Sequence, residues 1–227
     1  KVDSDDFMFY VKSEIFPFSP QNLGEVHFTN GKGQAAVQDS IKAAILSYTE
    51  GHSGYEDVDW ETFAASDYNK SIQQLQGKVS VLTFESTTVD GFNTTVQPNW
   101  PVVKIPDVQY PYTKFRTQNE QNEADRLDEV RQVISERQNS SPVAAIVVEP
   151  ITFLGNSFAT PSFYRKLREI ASEHNIPFVV DETRTGFGKT AKFWAHEHWH
   201  LEQSPEFVAF GGSSVASGFF TDRNNIP

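Results

Sequence analysis

A chain of 227 residues is long enough to bury an α/β core without disulfide or metal staples. Its 19 Lys and Arg against 30 Asp and Glu give a net charge of −11, so no basic face can displace counterions from phosphates and nucleic acid is disfavoured as a partner. The lack of cysteine excludes disulfides, thiolate metal sites and a cysteine nucleophile, and the longest apolar run, Val143 to Val148, falls far below the roughly 18 residues of a membrane-spanning helix.

The chain begins at Lys1 and its single methionine is Met8, so a processed or trimmed polypeptide is expected, with any targeting peptide already removed. Triplets of glycosylation type at Asn69, Asn93 and Asn139 are what chance produces in a sequence rich in Asn, Ser and Thr. Residues 1–24, with Pro17, Pro20, Gly24 and no sustained period, read as an irregular arm laid on something else. Glu25 to Phe28 is a short strand candidate. A turn cluster Asn30-Gly31-Lys32-Gly33 follows, then Val37, Ile41, Ala44, Ile45 and Tyr48 at helical spacing. Gly51 to Gln76 has no clear period and reads as loop with at most one short helix, before a strand at Val79 to Phe84.

Prolines and turn residues between Phe92 and Pro111 predict an extended surface connection. Asn119 to Arg137 carries Ala124, Leu127, Val130 and Ile134 on one stripe and predicts an amphipathic helix. The clearest unit comes next: strand Val143 to Val148, an N-cap and first-turn proline at Thr160-Pro161, a helix marked by Phe163, Leu167, Ile170 and Ala171, and strand Phe178 to Val180. That order implies a parallel pair with a right-handed crossover. Both strands end in acid, Glu149 and Asp181-Glu182, and ligands of open α/β sheets sit beyond those carboxyl ends. No internal repeat is present, so residues 25–227 read as one domain.

Several stretches then carry a family resemblance: Val147-Val148-Glu149-Pro150-Ile151; Ser162-Phe163-Tyr164-Arg165-Lys166-Leu167; Val180-Asp181-Glu182-Thr183-Arg184-Thr185-Gly186-Phe187-Gly188-Lys189-Thr190; and Lys192-Phe193-Trp194-Ala195-His196-Glu197-His198-Trp199. In this order and spacing they resemble the large domain of class III pyridoxal-phosphate-dependent aminotransferases, nearest to the 4-aminobutyrate branch. A weaker similarity, Gly33 through Lys42, falls where that family has a phosphate-cradling turn at a helix N-terminus. The resemblance implies an α/β fold, the large domain of the fold-type I architecture with a mostly parallel sheet flanked by helices. Family chains are about twice as long, so the small domain is expected to be missing.

The chemistry of that family needs a lysine amine for the Schiff base and the proton shuttle. Aligning on Gly218-Phe219-Phe220 places Ser213 at the lysine position, and a hydroxyl cannot form an imine. Asp181 matches the carboxylate that pairs with the cofactor ring nitrogen, although a strand-end Asp capping local amides explains it equally well. Arg184 stands beside the expected ring oxygen, or pairs with a nearby acid. Thr88 takes the place of the stacking aromatic and Gly91 that of the arginine for the substrate carboxylate. Leu154 replaces an active-site acid, and Gly33 is followed by Gln34-Ala35-Ala36 rather than hydroxyl residues. Lys189 and Lys192 lie on a different loop.

His196, His198 and His200 would share one face of a strand and suggest zinc, but the matching family segment is helical and without metal, so no metal site is expected. The 19 phenylalanines read as core, or as apolar surface needing cover. These losses predict a non-catalytic aminotransferase-like protein without cofactor. It would act as a structural or accessory subunit of a larger assembly, mitochondrial and of respiratory-chain or ATP synthase type, with other protein subunits, a paralogue or a second copy as partner. The alternatives are an active pyridoxal-phosphate aminotransferase fragment, or half of a split enzyme, and a non-covalent small-molecule sensor with a pocket near Asp181.

Overall fold

Every residue of Val143–Val148 is apolar and every one is buried, the signature of a strand covered on both faces. It is β4 of a seven-stranded sheet in a computed structural model that describes residues 6, 9–29, 33–50, 52, 75, 77–85, 87, 99–212 and 216–225. The other strands are β1 (Glu25–Phe28), β2 (Ser80–Phe84), β3 (Val102–Val103), β5 (Phe178–Asp181), β6 (Phe207–Phe210) and β7 (Gly218–Thr221). Their spatial order is β1-β7-β6-β5-β4-β2-β3. The run from β3 to β6 is parallel, while β7 is antiparallel to both β6 and β1. The expected parallel pair is thus β4 and β5, with Val147 opposite Val179.

Among the described residues, three helices of more than ten residues flank this sheet. Helix α1 (Gly33–Glu50) buries Val37, Ile41, Ala44, Ile45 and Tyr48, as the helical spacing predicts, and packs across β4 to β7. Helix α2 (Arg116–Arg137) buries Leu127, Val130 and Ile134. Its buried stripe continues through Asn119 and Glu123 rather than Ala124. The helix starts three residues before the expected Asn119. That side chain faces back instead, accepting from Gln109 N at 2.8 Å and donating to Gln109 O at 3.0 Å. Helix α3 (Pro161–Glu173) begins with the expected cap: Thr160 accepts from Phe163 N, and Pro161 occupies the first turn, where its missing N–H costs nothing.

The turn residues Asn30, Gly31 and Lys32, almost all of the 51–76 loop and residues 92–98 lie outside the described residues. The connection past them is more ordered than its prolines suggest. Val81, Thr83 and Glu85 donate to the carbonyls of Asn99, Pro101 and Val103, which makes 99–103 an edge strand where proline is tolerated. Ahead of β1 come a π-helical turn (Val11–Ile15) and a 3-10 turn (Phe16–Phe18), and from Phe18 to Asn22 the chain contacts Phe193, Trp194 and Ser204. The Phe18 ring stacks on Phe193 with centroids 4.2 Å apart, and Trp194 Nε1 donates to Phe18 O at 2.6 Å.

One ion pair ties α3 to the start of β6. Arg168 donates to Glu206 Oε1 at 2.6 Å, and Phe178 N donates to Glu206 Oε2 at 2.7 Å. Burial holds the Glu206 carboxyl above its ordinary 4.5, against the lowering influence of Arg168 and the Phe178 amide. A carboxyl raised by folding contributes most to stability when protonated. Its contribution is full below the unfolded value and is lost as pH rises through the folded one. Relative to Glu206→Gln, which has no such titration, the parent chain is expected to lose stability as pH rises above the ordinary carboxyl value of 4.5 in urea denaturation. A difference independent of pH would contradict this account.

Candidate functional site at the carboxyl edge of the sheet

Because β4, β5 and β6 run parallel, the residues that follow them emerge along one edge. Glu149, Asp181-Glu182 and Gly211-Gly212 stand there, and α1 starts at the same edge with Gly33. Three main-chain segments meet so closely that side chains are excluded. A Cβ on Gly33 would lie 3.0 Å from Gly212 N and 3.1 Å from the Thr183 side chain. One on Gly211 would lie 2.7 Å from Gly33 Cα, and one on Gly212 2.5 Å from Thr183 O. Gly212 also has φ +71, a region costly for side-chain-bearing residues.

The acids at this edge are all buried and already engaged. Asp181 Oδ1 accepts from Thr183 N at 2.9 Å and from Thr183 Oγ1 at 2.5 Å, so the turn after β5 fixes the carboxylate. Glu149 Oε2 accepts from Phe153 N at 2.7 Å and closes the turn after β4. Glu182, fully buried, is the residue whose weight the sequence reading missed. Its Oε1 accepts from His196 N at 2.8 Å and contacts His196 Nδ1 at 2.9 Å, while Oε2 accepts from Thr185 Oγ1 at 2.5 Å. The available signal was a pair of acids at a strand end, one of which must turn inward.

Arg184 reaches into the loop after β4. It donates to Thr152 O and Asn156 Oδ1, both at 3.1 Å, and its guanidinium lies 4.9 Å from the Phe153 ring centroid. Its partners are therefore a carbonyl, an amide and an aromatic face, rather than the nearby acid that was one of its two expected readings. Folded around this cation, the loop turns Phe153, Leu154 and Phe158 toward solvent, with Leu154 68% exposed. Lys189 Nζ donates to Arg184 O at 2.8 Å, away from the β6 turn. The expected degenerate positions Thr88, Gly91 and Ser213 lie outside the described residues. The three histidines are dispersed by a 3-10 turn (Ala195–Trp199): His196 meets Glu182, His198 Nε2 donates to Thr190 O at 2.8 Å, and His200 is exposed with φ 52. Among the described residues no group of three metal-ligating side chains forms.

A family model described as aminotransferase class-III matches residues 17–224. The chain belongs to the class III aminotransferases. The mitochondrial 4-aminobutyrate aminotransferase of Mus musculus is 44% identical over 95% of this chain and 46% of its own length. The 4-aminobutyrate aminotransferase of Emericella nidulans is 33% identical over 96% of this chain and 46% of its own. The chain thus spans about half the length of the curated relatives it matches. In fold it is similar to the lysine aminotransferase from M. tuberculosis in the internal aldimine form, with TM-score 0.65, 22% identity, and coverage of 90% of this chain and 46% of that one.

Membership of this family corrects the expectation of a chain without cofactor, because class III aminotransferases depend on pyridoxal phosphate. That expectation took the changes at Ser213, Thr88, Gly91, Leu154 and the turn after Gly33 together as loss of the cofactor, yet a ring-nitrogen carboxylate and a helix N-terminus are separate groups that can still anchor it. Two anchors fit the group here. Asp181 is a buried carboxylate, oriented by Thr183, where the ring nitrogen would be held. The glycine-lined start of α1 would face the phosphate, since helix N-termini favour anions.

The close approach of the three segments has a measurable consequence. Gly212→Ala is expected to cost roughly 2–4 kcal/mol in urea denaturation, from positive φ and overlap with Thr183 together. Gly188→Ala, at φ +84 with nothing within 4 Å, is expected to cost only about 1 kcal/mol. Equal costs would show that the segments do not meet as described.

Proposed function

We propose that this chain is an aminotransferase-derived subunit of a larger mitochondrial protein assembly, which keeps the fold's cofactor-anchoring edge but does not itself carry the transamination chemistry. The observation that carries this reading is the loop after β4. In the resembling family that loop presents a polar run toward the substrate. Here Arg184 is bound into it, and Phe153, Leu154 and Phe158 form its outer face. A bound arginine and a row of exposed apolar side chains suit contact with another protein better than recognition of a small charged amine. Ser213, at the position of the Schiff-base lysine, supports the same reading from the sequence. The mitochondrial setting is supported by relatives named as mitochondrial enzymes. Other protein subunits, a paralogue or a second copy are the partners this surface fits.

When bound, pyridoxal phosphate supplies the electron sink for amine chemistry. Asp181 would orient its ring, and Ser213 would leave it without a covalent tether. The expected outcome of incubating the chain with pyridoxal phosphate, followed by borohydride, is cofactor that dialysis removes and no covalent label by mass spectrometry. A label on a specific lysine of this chain, together with amino transfer from 4-aminobutyrate, would establish the enzyme reading instead.

A further inference from the structure

Between the start of α3 and the 190–199 segment lies a cavity of about 660 Å³, within the size range of small-molecule sites. None of Asp181, Thr183, Arg184, Gly33 or Gly212 lines it, so it is separate from the carboxyl-edge anchors. Its apolar wall includes Tyr112, Ile151, Phe158 and Trp199. The polar groups among its lining residues include hydrogen-bond donors on neighbouring segments. Arg165 is held in the wall by its bond from Nη1 to Trp199 O at 2.8 Å, which leaves further guanidinium N–H groups available. The Thr190 hydroxyl is a buried oxygen without a hydrogen-bond partner, and its own carbonyl is fixed by His198 Nε2. Ser162 lies in the first turn of α3, where its amide has no intrahelical acceptor. Because Arg165 binds Trp199 and Thr190 binds His198, the cation and the orphaned hydroxyl are tied to adjacent residues of one wall.

Charge narrows the ligand class. The chain carries 30 acidic residues, yet no Asp or Glu is among the residues lining this cavity, whose charged member is Arg165. Glu123, behind the helix cap, is engaged by Thr160 N at 3.0 Å. An apolar pocket with a cation, a helix N-terminus and an unpaired hydroxyl suits a head group that is anionic and accepts several hydrogen bonds, attached to an uncharged body. We propose that this cavity binds an apolar monocarboxylate, with the carboxylate toward Arg165 and Thr190 and the hydrocarbon against Ile151, Phe158 and Trp199.

Decanoate is the probe, titrated into the full chain by calorimetry with decanol as the uncharged control. The expected result is saturable one-to-one binding of decanoate, at least about tenfold tighter than decanol, the scale of one charge-assisted hydrogen bond. Arg165→Gln is expected to weaken decanoate by about tenfold or more while leaving decanol unchanged. Thr190→Val, which keeps side-chain shape and the backbone carbonyl, is expected to weaken decanoate severalfold and serves if Arg165→Gln disturbs the fold. Equal binding of decanoate and decanol, no saturable binding, or indifference of decanoate to both substitutions overturns the proposal.

Discussion

The buried carboxylate of Glu182 is the contact on which the far side of the sheet edge depends. Its two oxygens gather the amide and ring of His196 and the hydroxyl of Thr185, while its own amide and carbonyl bond Ala209 O and Gly186 N. The chain leaving β5 is therefore folded back onto the sheet before it reaches residue 190. Trp194 then packs against Gly186 so closely that a Cβ there would lie 2.8 Å from the indole. From this point the remaining contacts spread outward. Trp194 holds the N-terminal arm through Phe18 O, Trp199 stacks on Tyr164 with centroids 3.9 Å apart, and His198 fixes Thr190. A carboxyl group in this position is costly to desolvate, and the His196 amide, the His196 ring and the Thr185 hydroxyl offset that cost.

Scaffold and chemistry separate along this line. The contacts of Glu182, the glycine convergence at Gly33, Gly211 and Gly212, and the capped start of α3 preserve the shape of the class III large domain. The loop after β4 is built differently: Arg184 is bound into it through Thr152 O, and Leu154 stands in solvent. Tyr164 shows how a titratable group can be purely architectural. Burial pushes its phenol far above the usual range, so it remains a neutral donor to Pro150 O and acceptor from Ala159 N.

The parts legible in the sequence are those fixed by local chemistry. β4 and β5 announce themselves as continuous apolar runs, and α3 by Thr160-Pro161 with its apolar stripe. The edge strand β3 was not legible, since two residues beside prolines carry no period and their pairing is made by β2. The early start of α2 was hidden because Asn119 satisfies the backbone of Gln109, ten residues upstream. The link between Glu182 and His196 spans 14 residues without a pattern, so only the fold reveals it. The partners of Arg184 were not legible, because they come from a loop 28 to 32 residues away. The cofactor expectation failed for a chemical reason: covalent attachment and non-covalent anchoring rest on different residues, and losses at the first were given more weight than Asp181 and Gly33, which the sequence also offered for the second.

Amide hydrogen exchange on Glu182→Met, compared with the parent chain, tests the central role of this carboxylate most directly. Methionine preserves length and apolar volume but leaves the His196 and Thr185 donors unpaired. The account predicts that amides from 185 to 199 lose protection by about 30-fold or more, the equivalent of roughly 2 kcal/mol for donors orphaned in the interior. Amides of β4 and β5 would keep most of theirs. Unchanged protection across 185–199 would contradict the claim that Glu182 holds this edge of the fold together.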